Sequence, residues 1–428
     1  NMGYGRAILH LRNHPEVAYE DEILHAVTHN YSYDSQVEGT RKSYLLLVLH
    51  ASGGWQRIKH RLIQAMLKSS DAHDVSSMLE VVSFIARTGD DDAGESIYEK
   101  LRRFDINEPE AILGSTAELD GLEGLKRGAR LLSEVISERG LSDFKKIDPC
   151  EFDYLGIDVA ALESWLRSLP PDDPVHLAFL ASDCKREDVQ PGIPTSLSPE
   201  EVADKIVGLS FPDLIQDVPG ALAYVQRWAR QASDDDLRMA AEDLIRATER
   251  QRIRLLLRIF MARSYPLDLK PLFRLAESDR GMIGRHALKA LSRVQHADVR
   301  ALFEQSIERK APQFELLHAN FQPGDENLIL ATLSDAATIQ QKQNDIDVFH
   351  WMAMDLIDLC RDQITRRRDE ILKWIYDHTP CSACRGRVVE LLIEHGAATE
   401  DLLTECRFDA YEFTRTKAVK ALAKLQRI

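Results

Sequence analysis

Four arginines recur at every fourth residue in this chain: Arg246, Arg250, Arg254 and Arg258, with Arg252 and Arg263 close by. On one unbroken helix this spacing sets the guanidiniums in a slowly turning row. A guanidinium is a planar fork of donors that grips carboxylate or phosphate through two bonds at once. Such a row could therefore hold an acidic peptide or a nucleic-acid backbone. The competing outcome is a solvated face neutralised from nearby. Asp234, Asp235, Asp236, Glu242, Asp243 and Glu249 stand close in sequence, and Thr248 with Glu249 could form a turn that breaks the row.

Other residue types with chemical potential are more dispersed. Cys381 and Cys384 are three apart, with His378 before them and His395 and Cys406 after. Two such thiols could chelate one zinc, with Cys406 and His378 completing four ligands. At a helix start they could instead be a redox-sensitive pair, or small side chains packing a turn after Pro380. No other cofactor is called for. His350, Trp351, Trp374 and Tyr376 could stack on bases or grip a peptide, although repeat aromatics are biased toward burial. Arg366, Arg367 and Arg368, with Lys373, lie between Asp362 and Asp369-Glu370, which favours a local salt-bridged surface over a phosphate clamp. The chain carries no Walker A loop, no Gly-x-Gly-x-x-Gly, no His-Glu-x-x-His and no Gly-x-Ser-x-Gly. No catalytic residue is assigned.

The elements that must position these residues are helical. Of 428 residues, 44% are hydrophobic, enough for a large core, yet no apolar run approaches the roughly 20 residues that span a bilayer. The start of the sequence has no secretion-signal pattern, so a soluble cytoplasmic protein with no membrane partner is expected. The six cysteines are then expected as free thiols or as metal or redox groups. The net charge of −15 is unevenly spread: residues 201–428 hold 33 Lys and Arg against 35 Asp and Glu, and residues 1–200 hold 21 against 34. The acidic first half should repel nucleic acid and anionic membrane, whereas the second could carry a local basic face.

Period-3.6 apolar patterns predict helices over most of the chain. They fall at 22–29, 41–51, 56–68, 75–88, 93–104, 109–113 and 122–139, then at 158–169 and 199–209 within a proline-rich stretch. From 220 onward they return as 220–231, 234–248, 250–263, 267–277, 282–294, 297–309, 312–319, 324–337, 345–360, 366–378, 382–395, 399–407 and 410–426. Nine prolines interrupt residues 148–220. Three regions are therefore expected: acidic helical repeats over 1–147, an irregular connection over 148–219, and helix pairs over 220–428.

A self-similar unit refines this reading. Asp279-x5-Arg285 precedes Ala287-Leu288-Lys289-Ala290-Leu291, and Asp409-x5-Arg415 precedes Ala418-Val419-Lys420-Ala421-Leu422. Short helical units repeated this way mark an α-solenoid, whose repeats encode stacking. The two units resemble the start of the second helix in HEAT and armadillo-type repeats, and Asp34 with Arg41 is a looser echo. Pieces such as 33–36, 118–121 and 380–385 are similar to bacterial HEAT-like proteins of uncharacterised role. The resemblance implies an all-α superhelix of antiparallel helix pairs, with Asp279, Arg285, Asp409 and Arg415 tying neighbouring repeats together. The function expected is a non-enzymatic scaffold holding a protein or peptide on its concave face through Arg246, Arg250, Arg254 and Arg258. The alternative is a nucleic-acid-binding protein, such as a HEAT-like DNA repair enzyme with an arginine-lined groove.

Overall fold

A computed structural model describes residues 3–33, 38, 41–103, 109–140, 146–179, 210–211, 221–278, 281–343, 346–362 and 367–426. Within these residues all regular structure is helical, apart from one parallel bridge between Ile147 and Phe179. In chain order the first helices are α1 (Gly5–Asn13), α2 (Glu20–Thr28), α3 (Lys42–Ala51), α4 (Lys59–Lys68), α5 (Ala72–Arg87), α6 (Asp91–Arg103) and α7 (Pro109–Arg139). A 3-10 turn at Pro149–Leu155 leads to α8 (Val159–Ser168) and α9 (Val175–Ala178). Next come α10 (Ala221–Gln231), α11 (Asp234–Arg246), α12 (Arg250–Phe260), α13 (Lys270–Ser278), α14 (Met282–Leu291) and α15 (Ala297–Glu308). After a 3-10 turn at Phe314–Leu317 follow α16 (Asp325–Gln343), α17 (Ile346–Asp362), α18 (Arg368–His378), α19 (Ser382–Glu394), α20 (Glu400–Cys406) and α21 (Glu412–Leu425). The helix predicted over 312–319 is thus one short tight turn. The one predicted over 199–209 lies outside the described residues.

The chain forms two compact units. The first joins Asn1–Glu187 to Pro380–Ile428, and the second is Asp188–Thr379.

In the first unit, α2, α4, α5, α6 and α7 pack on their neighbours in sequence, and their apolar stripes meet in one core. Leu62, Met66, Val82, Ile97 and Leu132 are fully enclosed there. The two helices predicted over 109–113 and 122–139 are present as two arms of α7, separated by non-helical backbone at Asp120 and at Gly121, where φ is 61°. That φ favours glycine, because a side chain there meets its own backbone. Helix α1 packs on both α3 and α20, so the first described helix and the helices after 380 share one unit. The approach is close: a Cβ on Gly5 would stand 1.8 Å from the Glu405 carbonyl oxygen. Around this contact the Ala410 N–H donates to the Gly3 carbonyl at 2.8 Å, and Arg6 pairs with Glu405 at 2.8 Å.

In the second unit, neighbouring helices pair: α11 with α12, α13 with α14, and α15 with the Phe314–Leu317 turn. The later members of these pairs also touch in series, running α10, α12, α14, the 3-10 turn and α17. The sequence supports this through local stops. Ser233 caps α11 by accepting the Asp236 N–H at 3.1 Å, and His296 caps α15 by accepting the Asp298 N–H at 3.1 Å. Each helix buries a stripe rather than its whole circumference. On α12 the enclosed residues are Leu256, Leu257, Ile259 and Phe260.

Candidate functional site

The arginine row is divided between two helices. Ala247 and Glu249 are extended, with ψ 132° and 129°, so Arg246 ends α11 while Arg250, Arg254 and Arg258 lie on α12. Two of the neighbouring arginines are internally neutralised. Arg252 reaches back across the bend to Asp243 at 2.6 Å, and Arg263 pairs with Asp234 at 3.2 Å. Arg246 and Arg250 are exposed.

Arg254 and Arg258 differ from these. Both are half-buried, their stems lying beside the apolar stripe of α12. The Nε atom of each is buried and has no hydrogen-bond partner among the described residues. A buried donor left unpaired costs about 1–3 kcal/mol, so two on adjacent turns of one helix face call for a physical reason.

The adjoining face of α14 presents Arg285 and Lys289, again four residues apart, with His286 between them. His286 is only 9% exposed, and its Nδ1 is buried without a hydrogen-bond partner among the described residues. Burial pushes its pKa down to about 4, assisted by Arg258 and Arg254 and then by Lys289 and Arg285. The ring is therefore neutral at neutral pH, and the positive charge of this face sits on the flanking guanidiniums and Lys289. Arg285 lies over the ring of Trp351 on α17, 3.9 Å from its centroid. Its expected partner, Asp279, lies outside the described residues.

A carboxyl pair closes one side of the cluster. Lys289 meets Asp355 of α17 at 3.7 Å. Asp355 shares a hydrogen bond with Glu315, which is buried in the Phe314–Leu317 turn. Burial, then the charge of Asp355, pushes the Glu315 carboxyl up to about 8; burial raises Asp355 as well, against the pull of Lys289. Like charges in hydrogen-bond contact cannot both ionise cheaply, so this pair retains a proton. Nothing in the sequence pattern marked these two acids, which are separated along the chain by α16.

The thiols occupy a different setting. Cys381, only 2% exposed, caps α19, its Sγ accepting the Cys384 N–H at 3.4 Å. The hydrogen bond to Cys381, followed by burial, raises the pKa of Cys384 far above the ordinary thiol range. Cys406 is fully buried. Cys381, Cys384 and Cys406 do not close to within 4.8 Å of one another as a set. His378 stacks on Trp374 of its own helix at 4.1 Å, and its Nδ1 lies 2.7 Å from the Trp374 carbonyl. His395 follows the last turn of α19. Tyr376 is 2% exposed, and Trp374 also packs on Phe349 at 5.4 Å, so these aromatics serve the core. His350 lies beside Trp351. Arg366 is outside the described residues. Arg367 is held by Glu370 at 2.6 Å and Arg368 lies 3.8 Å from Asp369, a salt-bridged surface as expected.

The Asp-x5-Arg unit at 409–415 forms a tie whose partner the spacing did not give. Arg415 donates to the carbonyls of Asp409 and Ala410, both at 2.8 Å. The Asp409 carboxylate is taken by Arg385 of α19, with Nε to Oδ2 at 3.0 Å and both side chains fully buried. Arg385 also lies over the Tyr4 ring at 4.2 Å. Its signal was present as the arginine four residues after the Cys381 cap, but which carboxylate it meets depends on how two helix pairs stack. Arg41, the looser echo, pairs with Glu38 at 3.0 Å, and Asp34 lies outside the described residues.

No protein-family model matches this chain, and no curated protein matches it in sequence.

Proposed function

We propose that the protein is a helical-repeat scaffold of α-solenoid type that holds an acidic segment of a protein or peptide partner against the cationic face of α12 and α14. The observation that carries this reading is the pair Arg254 and Arg258. Their guanidiniums lack ion-pair partners among the described residues, while Arg252 and Arg263 beside them are neutralised. The series of touching second helices is the geometry in which repeat proteins build an extended binding wall. A HEAT-like stack would present α12 and α14 on its concave side.

Partner capture by the full chain, compared with the Arg254→Glu/Arg258→Glu variant, tests the reading. Reversal should abolish capture of the proteins held by the parent, with unchanged helical circular dichroism. Capture that survives reversal rejects this face as the contact surface.

A nucleic-acid role is the second reading, favoured by Trp351 and Arg285 lying side by side next to four further cationic or basic groups. It requires affinity for duplex DNA that falls steeply between 50 and 200 mM salt, as phosphate contacts dictate. Absence of binding at the lower salt eliminates it.

A further inference from the structure

Taking the peptide-binding reading as its basis, we propose that Arg254, Arg258 and His286 form a subsite for a phosphate monoester: a phosphorylated serine or threonine side chain of the partner. Three observations point to this ligand class. First, Arg254 and Arg258 are one turn apart on α12, which puts both forks on one face, and each has a buried Nε with no protein acceptor among the described residues. The Nε edge of a guanidinium, with its adjacent Nη, is a side that takes two oxygens of one anion. Second, His286 adds a third unpartnered buried nitrogen from α14, on a side chain more than nine-tenths enclosed. Third, the charges leave a positive surplus. Asp355 stands against Lys289, whereas no carboxylate among the described residues pairs with Arg254 or Arg258.

A carboxylate would bring one charge and two oxygens to this site. A monoester brings a charge near −2 and three terminal oxygens, matching both guanidiniums and leaving an acceptor for the imidazole N–H. A phosphodiester of a nucleic-acid backbone carries only one charge per unit and so fits no better than a carboxylate. Binding forms no covalent bond. It satisfies the buried donors that the protein itself leaves unmatched.

The test uses calorimetry on the full chain with four probes at equal ionic strength and pH 7.5: inorganic phosphate, N-acetyl-O-phosphoserine amide, N-acetylglutamate amide and dimethyl phosphate. The phosphoserine amide should bind about tenfold or more tighter than the glutamate amide and the dimethyl phosphate, as a doubly charged bidentate acceptor should. Stronger binding of the phosphoserine amide than of inorganic phosphate identifies the esterified side chain, and the reverse order rejects the side-chain source. Arg254→Ala/Arg258→Ala should remove the preference. Arg254→Lys/Arg258→Lys keeps the charge but not the fork, and should reduce the preference severalfold with unchanged unfolding temperature. Equal affinity for phosphoserine and glutamate amides overturns the phosphate inference while leaving acidic-peptide capture intact. Binding of all probes that no arginine variant alters overturns both. Failure of every probe to bind overturns the subsite, and the capture experiment above then judges the scaffold reading by itself.

Discussion

The proton held between Glu315 and Asp355 gives the second unit a distinctive pH response. The folded-state pKa of Glu315 is raised from the ordinary carboxyl value to about 8. Between those values the folded chain therefore binds more protons than the unfolded chain, and stability must fall as pH rises. His286 acts in the opposite sense. Its folded pKa is depressed to about 4, so its contribution is complete above the ordinary histidine value and is lost as pH falls through that window. Between about pH 6.5 and 8 the carboxyl pair dominates, before the buried thiols Cys360 and Cys384, whose pKa values are also raised, begin to contribute in the same sense. Urea unfolding should thus show a loss on the order of 1–3 kcal/mol between about pH 6.5 and 8.5, flattened in Glu315→Gln. A pH-independent parent would contradict the shared proton. A second residue-level expectation concerns Arg385 and Asp409. Because both are fully enclosed, Asp409→Ala strands a buried guanidinium and should destabilise the first unit by about 3–5 kcal/mol. Arg385→Lys should not preserve the parent stability, since an ammonium cannot span both carboxylate oxygens. Parent-like unfolding of either variant would mean that water enters this pair. The thiols of Cys381 and Cys384 should react with a disulfide reagent only on unfolding, because both are buried and the Cys384 pKa is raised as well; stoichiometric labelling of the native chain would refute this.

Single contacts of helix on helix decide the behaviour of whole elements. A side chain at Gly5 has no room against the Glu405 carbonyl, a backbone atom that cannot rotate aside. Gly5→Val should therefore detach α1 from α20 and cost about 1–3 kcal/mol, the usual range for overpacking. Faster hydrogen exchange in residues 5–13 and 400–406 would report it, and unchanged exchange would count against the contact. At this scale the sequence was most readable. Apolar periodicity marked α12, α14, α18 and α19 with small boundary shifts, because each must bury one stripe. It also set Arg246 and Arg250 on separate helices, 234–248 and 250–263, and the structure moves the break forward only slightly, ending α11 at Arg246. It missed that 312–319 shrinks to a 3-10 turn that buries Glu315. In the site, the arginine spacing was visible. That Arg252 is neutralised by Asp243 while Arg254 and Arg258 lack a carboxylate among the described residues was not, because pairing depends on side-chain direction across a bend. His286 lay within a repeat motif that draws attention to Arg285 instead.

Across the molecule, the first unit is assembled from Asn1–Glu187 and Pro380–Ile428, with Asp188–Thr379 forming the second. The repeated Asp-x5-Arg signature suggested order along the chain, whereas the α1–α20 contact joins segments far apart in it. No local pattern announces such a pairing, since each surface is apolar and unremarkable until the other covers it. Removing residues 380–428 should uncover the face of α1 that meets α20 and lower the stability of the remaining first-unit helices, and addition of a separate 380–428 fragment should restore part of it. A truncated chain as resistant to urea as the parent would show that the two segments fold independently.

That arrangement imposes an order on biosynthesis. A ribosome adding roughly 5–20 residues each second needs on the order of ten seconds or longer to translate the insert before the completing helices emerge. Throughout that interval the nascent first unit carries a sticky, half-covered flank. Incompletely packed surface of this kind is prone to aggregate, so chains released before the last three helices are made should be less soluble than the finished protein.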